Sequence, residues 1–312
     1  MNPIISGTLA SFLPLCLSTY RVIRPPNVSI HNLDDDSLLS IFSICGPNLF
    51  EEDEYGDVRW VNWVRQSWWY TLVKVCQRWR YLILGSASHL GLCLVCTRGT
   101  PIADMLAHSP PLPLIVYHDD KNHDLTAEDE ERIMFTLQRR NRVRRIYLKK
   151  PVPCLQKLIT AMDDQFPMLE YLYIAPPTKH DARLVFPSTF EAPQLHTLVL
   201  HHFSSPIGSP LLTSAISLVR LSLQWVHPST NLYPNHLLQA LSLLPQLQDL
   251  AISFSAVPNR EMERHMLHMP NMTDTTLPNL LSFGFGGVSA YLEALLSHMN
   301  SPTMNTTATE SQ

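Results

Sequence analysis

Glycine is scarce in this 312-residue chain, with 10 residues against 25 prolines. Neither G-x-G-x-x-G nor G-x-x-x-x-G-K-[ST] occurs, so the glycine-lined loops that cradle phosphates have no counterpart. G-x-S-x-G and H-E-x-x-H are missing too, which removes the local signatures of an activated serine and of a zinc peptidase. A non-enzymatic protein is expected, with no catalytic residue, no cofactor and no metal site. A surplus of positive charge is also lacking: the net charge is −4 and the pI about 6.4. Nothing therefore draws the chain as a whole to nucleic acid or an anionic membrane, and neither is expected as a partner. The apolar stretch Ile4 to Leu17 is too short to cross a bilayer, is interrupted by Pro14, and has no Lys or Arg before it. Residues 1–27 read as a poorly ordered leader, ending in the linker Arg24-Pro25-Pro26. Six cysteines at irregular intervals form no disulfide framework and suit reduced thiols in the cytoplasm or nucleus.

What the chain does have is one short phrase, written six times. An apolar-x-x-apolar-x-apolar step appears at Val143-Ile146-Leu148, Leu169-Leu172-Ile174, Leu195-Leu198-Leu200, Leu218-Leu221-Leu223, Leu247-Leu250-Ile252 and Leu280-Phe283-Phe285. Successive starts lie 26, 26, 23, 29 and 33 residues apart, which brackets the period of leucine-rich repeats. Pro167, Pro193, Pro245 and Pro278 stand two positions before four of the starts, where a coil would end and a strand begin. A unit with one apolar face cannot bury it alone, so the units must stack. The expected fold is α/β, with an irregular solenoid over residues 87–299 whose parallel strands form one face. Coils over Leu155–Met162, Leu211–Leu218, Leu237–Leu244 and Tyr291–Met299 separate the strands. Leu90-Leu92-Leu94 and Leu112–Tyr117 are expected to add strands at the front. Thr126 with Glu128–Glu130 should open a helix ending near Arg139-Arg140.

Residues 28–86 read as a small helical module. Asp34 to Ser37 supply N-cap candidates and negative charge for a first helix, followed by Leu38, Leu39, Ile41 and Phe42. A second helix is expected over Thr71 to Leu84, with Leu72, Val75, Cys76, Trp79, Leu82 and Ile83 at spacings of three and four. Between them lies an acidic, Trp-rich insert, residues 46–69. Two short helices with apolar faces make a poor core and a good docking module.

Ile30-x-x-Leu33-x-Asp35-x-x-Leu38-Leu39-x-Ile41-Phe42, together with Leu72-Val-Lys-Val-Cys-Gln-Arg-Trp-Arg80, resembles an F-box. Over roughly residues 28–299 the chain resembles the fungal F-box proteins with leucine-rich repeats, and its C-terminus looks like that of a truncated member. The resemblance implies a non-enzymatic substrate-recognition subunit. Its F-box would dock on the Skp-type adaptor of a cullin–RING ubiquitin ligase, and its repeats would hold a protein substrate. Carried over by position, the adaptor-facing residues would be Leu33, Leu38, Leu39, Ile41, Phe42, Leu72, Val75, Cys76, Trp79 and Leu82. The family's usual Leu-Pro opening is Leu33-Asp34 here. The alternative is a repeat scaffold whose F-box recruits no ligase.

Alternate strand residues face opposite ways, so residues between the apolar positions should line the open, concave face of the sheet. Those expected to hold a partner are Arg145, Tyr147, Tyr171, Tyr173, Thr197, Val199 and Arg220, with the tyrosines as exposed anchors. Alanine at Tyr147, Tyr171 and Tyr173 should then weaken capture of the substrate. Other groups read as structural: Cys93-x-x-Cys96 as buried thiols on opposite strand faces, His196, His201-His202 and His265-x-x-His268 as solvated loops. The basic run from Arg139 to Lys150 reads as a solvated helix end partly neutralised by upstream acids. Residues 300–312 read as a disordered tail, with Leu281–Phe285 as an exposed edge strand before it.

Overall fold

Each of the six phrases folds into the same two-part object, a tight turn and a short strand. The computed structural model describes residues 30–46, 51–52, 58–59, 68–119, 125–177, 184–203, 208–227, 232–254 and 274–302. The first apolar residue of every phrase closes the turn by donating its N–H to the carbonyl three residues back. The six bonds run from Val143 to Arg140, Leu169 to Phe166, Leu195 to Ala192, Leu218 to Ala215, Leu247 to Leu244 and Leu280 to Leu277. Pro167, Pro193, Pro245 and Pro278 occupy the second position of these turns, where a fixed φ is already correct and no N–H is needed.

The strands that follow lie side by side in chain order. Among the described residues, β1 (Leu94–Cys96), β2 (Leu114–His118), β3 (Val143–Lys149), β4 (Tyr171–Ala175), β5 (Thr197–His201), β6 (Arg220–Val226), β7 (Asp249–Phe254) and β8 (Ser282–Gly286) form one eight-stranded parallel sheet. Register follows the phrase. Ile146, Leu172, Leu198, Leu221, Leu250 and Phe283 make one row across the sheet, and Leu148, Ile174, Leu200, Leu223, Ile252 and Phe285 make the next. All but the two phenylalanines are at most 1% exposed. A one-residue slip would turn every such row to the opposite face, so burial fixes the register.

Among the described residues, the helices between strands pack on one face of the sheet. Helices α4 (Ile102–His108), α5 (Ala127–Leu137), α6 (Val152–Thr160), α7 (Pro210–Ser214), α8 (Pro234–Leu241) and α9 (Ser289–His298) follow α1 (Asp35–Cys45), α2 (Trp68–Leu72) and α3 (Gln77–Gly85). Helix and strand residues share one continuous core. On the opposite face the smaller cluster of Cys93, Ile115, Tyr147, Tyr171, Tyr173, Ala175 and Val199 comes from strands and their approaches, with no helix contributing. Among the described residues the sheet is thus parallel yet covered by helices on a single side, unlike the doubly covered arrangement usual for parallel sheets.

Several expected boundaries move. The helix expected over Thr71–Leu84 is two: α2 stops at Leu72 and α3 starts at Gln77. Cys76 is fully extended at φ −157°, ψ 170°, the β-branched Val73 and Val75 propagate a helix poorly and lie in the turn, and Arg80 donates from Nε to the Val73 carbonyl at 3.1 Å. The strand expected from Leu90 begins only at Leu94, because Gly91 adopts φ +60° in a turn. The coils start earlier than their leucines suggest. Pro153, Pro210 and Pro234 occupy the first two helical positions, where a missing N–H costs nothing. The Leu211 coil is a helix only to Ser214. The helix opened by Thr126 is capped as expected, its hydroxyl accepting the Asp129 N–H at 3.1 Å. The leader at 1–27, most of the insert and His265-x-x-His268 lie outside the described residues, as does the tail beyond 302; within the insert, Glu51–Glu52 pairs antiparallel with Val58–Arg59.

Candidate functional site

Two surfaces follow from this architecture, one on the N-terminal helices and one on the open sheet face. The helical one begins with α1, whose N-cap Asp34 accepts the Ser37 N–H at 2.7 Å. That bond, reinforced by the Ser37 hydroxyl, holds the Asp34 carboxyl below its usual range. Arg78 of α3 reaches back to α1, donating to Asp35 Oδ1 at 2.6 Å and to the Leu33 carbonyl at 2.6 Å. Phe42 and Trp79 meet edge to face at 4.9 Å. The two sequence halves separated by the insert are therefore clamped together.

The ten expected adaptor-facing residues divide. Leu38 and Phe42 are 0% and 1% exposed; they serve the core and offer no free surface, so their assignment as outward contacts is corrected. Leu33, Leu39, Leu72, Trp79 and Leu82 are half-buried against the same core, and Cys76 is half-buried as the α3 N-cap. Ile41 and Val75 face outward at 39% and 56%. Ile44 and Tyr81, exposed by 84% and 69%, join them among the outward apolar side chains of this module. Sequence reading passed over both. Ile44 had a signal, standing three residues after Ile41 on the same helix, whereas Tyr81, between Arg80 and Leu82, lies off the stripe of spacings three and four that Trp79, Leu82 and Ile83 follow.

On the sheet face Tyr117, Tyr147 and Tyr173 stack, and His201 meets Tyr173 at a tilt. Tyr117 and Tyr147 are 4.9 Å apart between centroids, Tyr147 and Tyr173 are 4.2 Å apart, and Tyr173 and His201 are 5.5 Å apart. Parallel strands about 4.8 Å apart bring in-register side chains to stacking distance. The consequence is burial: Tyr147, Tyr171, Tyr173 and Val199 are 8%, 6%, 2% and 7% exposed. The expectation that these tyrosines stand out as exposed anchors is corrected. Arg145, Thr197 and Arg220 of the same set are only part-exposed. The triple alanine variant would empty a packed ladder, so weaker capture by it would report a loosened sheet as much as a lost contact.

Further along, the face becomes small and polar. Arg220 Nε donates to Asp249 Oδ2 at 3.3 Å across β6 and β7. Ser253 Oγ donates to Gln224 Oε1 at 2.6 Å, and Gln224 Nε2 donates to Ser222 Oγ at 3.0 Å. His202 and Trp225, at the ends of β5 and β6, both adopt left-handed backbone (φ 58° and 57°), and their rings lie nearly parallel at 6.3 Å. Trp225 sits in a bulge between Leu223 and Val226, which supplies the turn that a non-glycine residue otherwise resists.

Burial sets the ionisation of this face. It lowers His201 to about 4, helped by His202 and Lys149. It raises Tyr117 to about 12, with Asp119 adding to the effect, and raises Cys93 to about 11 against the pull of Arg145 and Arg144. All three are neutral at physiological pH, so none offers an ionised nucleophile or a ready base. Among the described residues no three His, Cys, Asp or Glu side chains gather as a metal site. Cys93 lies with the strand-only cluster and Cys96 is fully buried. The basic run is neutralised from a different direction than expected: Arg140 pairs with Asp164, and Arg144 and Arg145 with Glu170. Arg142 donates to the Leu112 and Pro110 carbonyls. No described helix is long and apolar enough to cross a membrane. No model of a known protein family matches the chain, and no curated protein matches it.

Proposed function

We propose that this chain is a non-enzymatic, F-box-type adaptor. Its helical module docks on the Skp-type subunit of a cullin–RING ubiquitin ligase, and a leucine-rich-repeat stack behind it holds a protein substrate, in the cytoplasm or nucleus. The mechanism is positional: holding two proteins at once raises the effective concentration of one at the other.

The observation that carries this reading is the outward exposure of Ile41 and Ile44 on α1, of Val75 in the turn before α3 and of Tyr81 on α3, with α1 and α3 held together by the Arg78–Asp35 pair. Large apolar side chains grouped at a surface usually mark an interface. The six-fold phrase, in one register across a sheet covered on one side, supports the repeat part of the reading.

Trp79 is a poor test position because it packs on Phe42. Ile44→Asp is a cleaner one. The substitution places a charge on a side chain 84% exposed, so folding stability should change by no more than about 0.5 kcal/mol. Co-purification with the Skp-type subunit should fall by about tenfold or more, as expected for a charge buried at an interface core. Capture of that subunit undiminished by both Ile44→Asp and Val75→Asp would overturn the docking surface.

The burial of Leu38 and Phe42 favours the second reading, a repeat scaffold that recruits no ligase, because it removes two of the ten positions from docking. Absence of the Skp-type subunit from native complexes of the unmodified protein would decide for it.

A further inference from the structure

We infer that Arg78 and Arg80 are the positioning residues of the docking surface, each guanidinium holding one neighbouring segment against α3. The inference rests on the docking reading above and names what assembles that surface. Its outward apolar side chains come from separate pieces of chain: Ile41 and Ile44 from α1, Val75 from the turn before α3, and Tyr81 from α3. The insert separates α1 from the rest in sequence, so no rule acting over a few residues sets their relative placement.

Apolar packing fixes part of it. Leu38, Phe42 and Ile83 join the common core, and Trp79 meets Phe42 edge to face. Burial is non-directional, however, and short helices in apolar contact can still slide and rotate. Hydrogen bonds supply the direction. Arg78 sends Nε and Nη2 to Asp35 Oδ1, at 3.0 Å and 2.6 Å, and Nη2 also to the Leu33 carbonyl at 2.6 Å. These acceptors stand on either side of the N-cap Asp34. Helix α3 thus grips α1 at its start, and a rigid helix carries that placement on to Ile41 and Ile44.

Arg80 acts in the same way on the turn. Its Nε donates to the Val73 carbonyl at 3.1 Å, and its main-chain N–H donates to the Cys76 carbonyl at 3.1 Å. Val75 lies between those two acceptors, with its own N–H on the Leu72 carbonyl. In Arg78-Trp79-Arg80, consecutive residues therefore hold α1 by polar bonds, α1 by ring packing, and the turn.

The chemistry calls for arginine. A planar guanidinium serves a carboxylate and a carbonyl together, whereas an ammonium on a flexible stem acts as a point charge. The Arg78 and Asp35 side chains are 37% and 59% exposed, and exposed pairs add little to folding stability. Losing them loosens α1 without unfolding the chain.

Titration of the purified Skp-type subunit into the full chain, read beside hydrogen exchange, is the test. Arg78→Lys and Arg80→Lys keep each positive charge, so attraction to an acidic partner persists and only the directed bonds go. Binding should weaken about fivefold in each variant, because a smaller share of molecules holds the arrangement that binds. Amides of α1 should exchange faster in Arg78→Lys and the Val75 amide in Arg80→Lys, while unchanged β3 to β5 amides show that both are folded. Docking at natural strength in either variant would overturn the inference. So would weaker docking with unchanged exchange, which means that the arginine touches the partner itself. A natural chain that does not bind the subunit defeats the docking reading before any variant is made, and this inference falls with it.

Discussion

Leu198→Ala should lower unfolding free energy by about 2–5 kcal/mol, the cost of deleting a buried leucine side chain without collapse of the space it leaves. Leu198 stands near the middle of the sheet, between Leu172 and Leu221 in register, and none of the three is more than 1% exposed. A gap at the end of a stack can be relieved by outward movement, whereas one between β4 and β6 is bounded by hydrogen-bonded strands on both sides. Denaturant unfolding followed by circular dichroism measures the effect. Ile216→Ala, at a residue 60% exposed, should stay within about 0.5 kcal/mol. A loss under 1 kcal/mol at Leu198 would mean that the rows do not pack as a continuous core.

Asp129→Ala comes next, at about 2–4 kcal/mol, because it strips partners from several donors at once. The Asp129 carboxylate is 4% exposed. It accepts the Gly99 N–H at 3.2 Å, the Thr126 hydroxyl at 2.8 Å and Arg132 Nη1 at 3.0 Å. It thus ties the loop after β1 to the start of α5. Burial alone would raise its pKa, but the bonds from Thr126, Gly99 and Arg132 outweigh burial and hold it below the ordinary value. A depressed folded-state value means that the contribution is fully present above the unfolded carboxylate range, near ~4, and is lost as pH falls through the folded value. Melting temperature measured from pH 6 downward should therefore drop more steeply in the natural chain than in Asp129→Asn. Parallel curves would show that this carboxylate does not govern the acid limb.

The repeat was legible because its information is local. A residue type at a fixed spacing decides a turn and a strand within about seven positions, and Pro167, Pro193, Pro245 and Pro278 mark turns that the backbone then closes with one repeated hydrogen bond. Burial of the phrase followed from the same pattern, since alternate side chains on a strand face opposite ways. The Asp34 and Thr126 caps were readable for a similar reason: a cap is a contact across three residues. The helix break at Val73–Cys76 was not readable from spacing, because the apolar periodicity runs through it and the Arg80 to Val73 bond helps close the turn.

Exposure is where periodicity failed. Tyr147, Tyr171 and Tyr173 occupy positions that face away from the main core, as alternation requires, and yet they are buried. Whether an outward ring is covered depends on what stands beside it on neighbouring strands, and those neighbours lie 26 residues away in sequence. The same holds for the helical module, where Leu38 and Leu39 are adjacent in sequence and similar in chemistry, but one is fully buried and the other only half.

The sequence by itself determined that short apolar strands recur, where their turns fall, and which side of each strand faces the main core, since these depend on steric and burial rules acting over a few residues. Only the tertiary structure decided which outward residues remain in contact with water and which arginines are paired. Those properties belong to distances between residues remote in the chain, and no local pattern encodes a distance that folding alone creates.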